Sequence, residues 1–243
     1  MKKTRLDTLL VERGIFPDAE EAKRAVLAHE VKVGDAFATS AAQMVAPDAV
    51  VNVKDRKQYV SRGGVKLRGA LDAFGFDPSG LRCADVGCST GGFTDCLLQA
   101  GAKSVAAIDV GYGDLAWKLR QDPRVDVFER TNIRTADCEA LGAPFDLVVA
   151  DLSFIGLASL APTFAQLCLC GGSFIGLVKP QFESQAGETD DRGFVADEAV
   201  RERTVAEVSN ALESVGFTVK GVVESPIHGK RSGNVEYLVW AQR

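Results

Sequence analysis

The sequence predicts an α/β protein with a small α+β unit ahead of it, and three observations carry the prediction. Apolar runs at residues 81–86, 104–110, 145–151 and 173–178 each end at or beside a charged residue and alternate with helix-like segments, the pattern of a mainly parallel sheet. The first of these runs feeds a glycine-rich turn that opens into a helix, the stretch Cys83-Ala-Asp-Val-Gly-Cys-Ser-Thr-Gly-Gly-Phe-Thr-Asp-Cys96. Residues 1–55 instead carry two short helical periods followed by short alternating strands.

The elements follow in order. Leu6, Leu9, Leu10 and Arg13 fall at helical spacing and stop at Gly14, a C-cap residue. Asp18 is placed to cap a second helix through about Ala28, with Ala22, Ala25 and Val26 inward and Lys23 and Arg24 outward. Residues 31–35 and 50–53 read as short strands. Lys54, Arg56, Lys57, Arg62, Lys66 and Arg68 then crowd around Tyr59, opposed by Asp55 alone. Residues 56–61 are read as a basic linker suited to phosphate contact, with Tyr59 stacking on a base.

A larger unit, 62–243, takes the rest, beginning with an amphipathic helix that carries Lys66. The strand at 104–110 carries Asp109, placed to accept from a ribose hydroxyl pair. Trp117 and Leu119 fit a following helix, residues 125–128 a third strand, and Asn132 and Ile133 an edge for an adenine ring. The fourth strand delivers Asp151 and the fifth Lys179 at their carboxyl ends, where open α/β sheets place their chemistry. Asp197 caps a long helix ending near Gly216, and residues 217–225 and 236–241 form an antiparallel pair that closes the sheet.

The totals narrow the function. Hydrophobic residues at 46% and charged residues at 25% are globular values, and a net charge of −5 argues against coating a polyanion wholesale while allowing a local basic face. Six cysteines without a C-x-x-C pair and only two histidines, His29 and His228, predict no metal site. Cysteines within apolar runs, without a secretion signal, predict packing thiols in a reducing cytoplasm. Residues 152–178 contain no charge, but Pro162 and Gly171-Gly172 divide them, so buried core is predicted rather than a membrane span.

The glycine turn has the order G-x-x-x-G-G from Gly87 to Gly92, which is neither the dinucleotide G-x-G-x-x-G nor a P-loop. Bare backbone flanked by Asp85 suits S-adenosylmethionine better than a pyrophosphate. Lys66 and Glu236 reach the edge that holds Asp151 and Lys179 if the flanking helix and last strands fold back. Two lysines and two carboxylates there suit the deprotonation of a hydroxyl. A lysine accepts that proton only after losing one of its own, which burial and a second ammonium promote.

Two resemblances carry these readings further. Arg5-Leu-Asp-x-Leu-Leu, Ala22-Lys-Arg-Ala-Val and Val31-Lys-Val-Gly-Asp resemble the alpha-L RNA-binding domain of the ribosomal protein S-four type, with Ala19-Glu20-Glu21 in place of the usual Ser-Arg. Over nearly its whole length the chain resembles the TlyA family of FtsJ-like ribosomal RNA 2′-O-methyltransferases, a family that also carries the name haemolysin. The resemblance rests on Tyr59-Val-Ser-Arg-Gly-Gly-x-Lys-Leu67, Ser89-Thr-Gly-Gly-Phe-Thr-Asp-Cys-Leu-Leu98, Asp109-Val-Gly-Tyr-Gly, Val149-Ala-Asp-Leu-Ser-Phe-Ile155, Val178-Lys-Pro-Gln-Phe-Glu183 and Gly233-Asn-Val-Glu236.

The resemblance implies a Rossmann-like class I methyltransferase sheet, S-adenosyl-L-methionine as cofactor, and methylation of a cytidine ribose in ribosomal RNA or ribosomal subunits. It places a catalytic Lys-Asp-Lys-Glu tetrad on Lys66, Asp151, Lys179 and Glu236. Asp85, Gly87, Ser89, Thr90, Gly91, Gly92, Phe93, Asp109, Asn132, Ile133 and Asp151 are the expected cofactor residues. Arg5, Lys23, Arg24, Lys57, Tyr59, Arg62 and Arg68 are the expected RNA contacts, with Ser153 and Phe154 shaping the acceptor pocket. Neither DNA nor a membrane is expected as a partner. The chain stops soon after its last strand, leaving large-subunit RNA alone or both subunits as substrate. A membrane-active haemolysin and a non-catalytic ribosome-binding module stand as the alternatives.

Overall fold

The computed structural model describes residues 3–54, 58–230 and 232–243. The chain divides into two units, Met1–Lys57 and Gln58–Arg243.

In the first unit β1 (Thr4–Arg5), α1 (Leu6–Glu12) and α2 (Ala19–Leu27) precede β2 (Val31–Val33), β3 (Ala36–Phe37), β4 (Met44–Val45) and β5 (Val51–Val53). The helical spacing read from the sequence is what fills the core: Leu6, Leu9 and Leu10 of α1 meet Ala22, Ala25 and Val26 of α2 over Phe16 and Val31. Asp18 caps α2, its Oδ1 accepting from Glu21 N at 2.8 Å. Strands β1, β3 and β4 are two residues each, too short to show alternation, and the sequence gives no sign of them.

The second unit is built on a seven-stranded sheet. Its elements are α3 (Arg62–Phe74), β6 (Arg82–Val86), α4 (Gly92–Gln99), β7 (Ser104–Ile108), α5 (Trp117–Arg120), β8 (Val125–Phe128), β9 (Phe145–Ala150), a 3-10 turn (Ala158–Leu160), α6 (Ala161–Leu167), β10 (Cys168–Val178), α7 (Pro180–Glu183), α8 (Glu198–Ser214), β11 (Thr218–Glu224) and β12 (Tyr237–Gln242). The strand order is β11-β12-β10-β9-β6-β7-β8, with β12 antiparallel to both neighbours and β10 through β8 parallel. This is the Rossmann-like α/β sheet that the sequence predicts. Both faces are covered: Val148 and Ala150 of β9 point into one core, Leu147 and Val149 into the other.

The charge-free stretch resolves into a seven-residue helix and an eleven-residue strand, with Pro162 in the first turn of α6 and a register shift between Cys168 and Ser173. Among the described residues no helix is long and apolar enough to cross a membrane.

The topology fixes where a ligand can sit. The chain runs from β6 outward through β7 and β8, then returns to β9 on the opposite side of β6. The crevice outside the carboxyl ends of β6 and β9 is therefore the switch point of the sheet. Tyr59 departs from expectation. It is 4% exposed and packs beneath α3, so close that a Cβ on Gly64 would stand 2.2 Å from its ring. It belongs to the core of the second unit and is not free to stack on a base.

Candidate active site

A cavity of about 160 Å³ opens at the switch point, lined by Ser61 and Gly63, by Asp85, Gly87, Cys88, Ser89, Thr90, Gly92 and Phe93, and by Asp151, Ser153 and Lys179. Seven of the expected cofactor residues line it: Asp85, Gly87, Ser89, Thr90, Gly92, Phe93 and Asp151.

Two glycines make this packing possible. Gly87 has φ +84°, and a Cβ there would stand 2.7 Å from the Asp151 carbonyl oxygen, so the β6 turn and the β9 exit touch through backbone. At Gly92 a Cβ would stand 2.1 Å from Ser61 Oγ and 2.9 Å from Gly64 N, so the first turn of α3 rests directly on the first turn of α4. The glycines expected to bring backbone close to a ligand here bring it close to other segments of the chain.

Asp85 is fully buried, and its Oδ2 accepts from Thr94 N at 2.8 Å and Thr94 Oγ1 at 2.6 Å. Its Oδ1 has no hydrogen-bond partner. Burial pushes its carboxyl up to about 7, against the opposing pull of the Thr94 hydrogen bonds. A buried carboxylate that lines a polar cavity and keeps one oxygen without a protein partner is the acceptor that a cationic ligand needs. The donor set therefore fits the ammonium- and sulfonium-bearing cofactor implied by the sequence, and no phosphate-binding lysine lies on the turn.

The other expected cofactor residues lie outside the cavity lining. Gly91 faces Leu115 and Leu119. Asp109 accepts from Ser89 N at 2.8 Å and Gly111 N at 2.7 Å, so it braces the glycine turn and keeps only its remaining lone pairs for a ribose. Asn132 is exposed, its Oδ1 accepting from Arg134 N at 3.1 Å, and the Ile133 side chain packs into the core rather than along a ring edge.

The tetrad residues come together as two ion pairs. Lys179 Nζ stands 2.6 Å from Asp151 Oδ1, in contact but not aligned as a hydrogen bond, and it donates to Ser153 Oγ at 3.3 Å. Lys66 Nζ donates to Glu236 Oε2, with both side chains almost wholly buried. The sheet explains the convergence. Asp151 leaves β9 and Lys179 leaves β10 at neighbouring carboxyl ends, while the antiparallel register of Val178 with Tyr237 brings Glu236 opposite Lys179. Gly63, beside Asp151 and Phe93, lies one helical turn before Lys66 on α3 and so shares its face.

Phe154 was expected to shape an acceptor pocket; it is 83% exposed, holds φ +69°, and stands with its ring 5.5 Å from that of Phe182. A bulky residue held in the left-handed region at a site edge stores strain that its surroundings must support. Sequence reasoning did not single out Ser61, Gly63 or Thr94 as site residues. Ser61 alone left a signal, an N-cap type ahead of a helix, and it does cap α3 by accepting from Gly63 N at 3.2 Å. The thiols beside the turn are inert packing groups: burial raises Cys88 and pushes Cys96 up to about 12.

The expected RNA contacts are mostly engaged. Arg5 pairs with Asp7 at 2.6 Å, Lys23 with Glu20 at 3.8 Å and Arg24 with Glu21 at 3.9 Å. Arg68 pairs with Asp72 at 2.5 Å, and Arg62 donates to the His228 carbonyl. The Lys23 and Arg24 pairs are solvent-exposed and contribute little net free energy, whereas Arg5 pairs with a buried carboxylate. Lys57 lies outside the described residues.

Known proteins resemble this chain in sequence and fold. The FtsJ-like methyltransferase family profile matches residues 59–243. The Mycobacterium tuberculosis 16S/23S rRNA (cytidine-2′-O)-methyltransferase TlyA is 44% identical over 241 residues, covering 98% of this chain and 90% of that protein. Hemolysin A of Brachyspira hyodysenteriae is 35% identical over 96% of this chain and 98% of its own length. A Streptococcus thermophilus structure described as a candidate hemolysin superposes with a TM-score of 0.74 at 37% identity, covering 100% of this chain and 89% of that one. With these relatives and a cavity at the sheet's switch point, the chain belongs to the TlyA family of FtsJ-like methyltransferases.

Proposed function

We propose that this methyltransferase uses S-adenosylmethionine to methylate the 2′-hydroxyl of a cytidine ribose in ribosomal RNA. The observation that carries the reading is the pair Lys179–Asp151, with Ser153, at the mouth of a cavity whose buried Asp85 keeps one oxygen without a partner. The relatives named for this reaction supply the substrate class.

Bound between Asp85 and the glycine turn, S-adenosylmethionine supplies a methyl group on a positively charged sulfur. The protein's part is to present the acceptor. Lys179 and Asp151 face the incoming hydroxyl together: Asp151 accepts its hydrogen bond, and the free-base form of Lys179 takes the hydroxyl proton as the oxygen becomes nucleophilic. Lys66 and Glu236, locked on each other outside the cavity lining, brace α3 against the entry to β12 and so keep the acceptor side of the site in place. Most of the acceleration comes from positioning, because displacement at a methyl carbon requires an in-line approach. Phe154 offers an exposed ring on which the target base stacks.

In the same reading the first unit is an alpha-L RNA-binding domain. Arg5, Lys23 and Arg24 trade their carboxylate partners for RNA phosphates, and Arg62 and Arg68 of α3 do the same.

The test is transfer of tritiated methyl groups to ribosomal RNA and purified subunits, with the modified nucleotide mapped. A single 2′-O-methylcytidine is the expected product. Methylation of a base, or transfer that survives Lys179→Ala undiminished, refutes the assignment.

A further inference from the structure

One half-buried acid beside the tetrad has no role in the reaction described so far. Glu183 ends α7, the short helix that begins immediately after Lys179. Its side chain turns inward. Leu157 N donates to its Oε1, and the Ala158 amide also reaches it. Burial pushes this carboxyl up, the Glu207 charge adds to the rise, and the two amides oppose it.

Those amides open the 3-10 turn Ala158–Leu160 and lead into α6, and neither element has a side-chain cap of its own at its start. Glu183 supplies the missing acceptor from another part of the chain. The fit is close: a Cβ on Gly156 would stand 2.5 Å from Glu183 Oε2 and 3.1 Å from the Phe182 carbonyl oxygen.

The contact closes a ring of chain. One arm runs from Asp151 through Ser153 and Phe154 to Leu157, and the other from Lys179 through Phe182 to Glu183. They meet at three places: Lys179 with Asp151 and Ser153, the Phe154 ring with the Phe182 ring, and Glu183 with the amides of Leu157 and Ala158. The first rests partly on an exposed serine and the second on an exposed ring, whereas the third joins a half-buried carboxylate to two backbone amides.

We infer that Glu183 is a positioning residue: it latches the loop bearing Ser153 and Phe154 to the segment bearing Lys179, and so sets where the acceptor nucleoside meets the base that deprotonates it. Glu183 itself touches neither acceptor nor cofactor. The inference rests on the proposed reaction for its consequence and on geometry for the latch.

The test compares Glu183→Ala, Glu183→Gln and Gly156→Ala in the full chain. Glu183→Ala is expected to lower the turnover rate of methyl transfer by about tenfold to 100-fold, because displacing a reacting group by an ångström costs on that order. The dissociation constant for S-adenosylmethionine is expected to stay within about twofold, since no residue of the glycine turn moves. Glu183→Gln keeps one acceptor and recovers part of the rate. Amide exchange at Leu157 and Ala158 quickens by about tenfold or more in Glu183→Ala, as for an amide that loses its acceptor.

Wild-type turnover in Glu183→Ala, or a loss of cofactor affinity as large as the loss of rate, overturns the inference. If Glu183→Ala does not fold, Gly156→Ala, which pushes the same carboxylate aside, carries the same expectations. If the wild-type protein transfers no methyl group to ribosomal RNA, the proposed reaction fails, and exchange decides the latch: faster exchange at residues 157–158 supports it and unchanged exchange overturns it.

Discussion

The two lysine–carboxylate pairs at the sheet edge have the same chemistry and different surroundings. Lys66 and Glu236 are sealed, with side chains 10% and 3% exposed, and neither lines the cavity. Lys179, 11% exposed and so hardly more open than Lys66, and Asp151, 23% exposed, line it, close together without a well-aligned hydrogen bond. A sealed pair cannot exchange partners with a substrate, whereas an open and imperfectly aligned one can. In the proposed reaction the first pair is therefore a fixed brace between α3 and the entry to β12, and the second is where a proton moves.

The sharpest way to break that distinction is to remove one lysine at a time. Lys179→Ala is expected to reduce methyl transfer by at least about 100-fold, the usual yield of a positioned base, while calorimetry shows cofactor affinity and unfolding temperature nearly unchanged. Lys66→Ala should behave in the opposite order. It leaves Glu236 buried without a counter-charge, so denaturant unfolding should show a loss of about 3–5 kcal/mol. Replacing both Lys66 and Glu236 by leucine should restore most of that stability, since a buried pair contributes little net free energy. If the double variant also regains full activity, the pair is scaffold alone.

Asp85 gives a smaller, pH-dependent effect. Its folded-state pKa of about 7 lies above the ordinary carboxylate value, so between roughly pH 4 and 7 the ligand-free folded protein holds a proton that the unfolded chain has released. Stability from this group is thus present at low pH and is lost as pH rises through 7. A cationic ligand favours the ionised form, so affinity for S-adenosylmethionine should rise about tenfold per pH unit from pH 5 to 7 and level off above. Titration calorimetry of wild type against Asp85→Asn checks this, and a flat wild-type profile would mean that the orphan oxygen does not face the cation. The smallest expected effects lie in the first unit. Single alanines at Arg5, Lys23 or Arg24 should lower the salt dependence of RNA binding by about one phosphate each, read from filter binding over a salt series.

What could be read from the chain alone follows from how far apart the interacting residues lie. Asp85, Asp151 and Lys179 were legible because each closes an apolar run, and a charge at the end of a buried strand has few places to go. The pairing of Lys66 with Glu236 was not legible. The partner of Lys66 lies 170 residues away, and only the register of β12 on β10 brings it back. Glu183 looks like any acid at a short helix's end until α7 folds it beneath Gly156. Tyr59 was misplaced for a related reason. A run of basic neighbours outweighed it in the local pattern, and nothing within a few residues reveals that α3 lies down on its ring.

The buried Tyr59 also determines where the protein can be cut. Val60 N donates to Asp95 Oδ2 at 2.8 Å, and Ser61 Oγ rests against Gly92, so the three residues ahead of α3 are pieces of the catalytic core in the guise of a tether. A catalytic fragment begun at Arg62, at the start of the helix, would lose an aromatic ring from its interior and the cap of the helix that holds Lys66. Begun at Gln58, it keeps both.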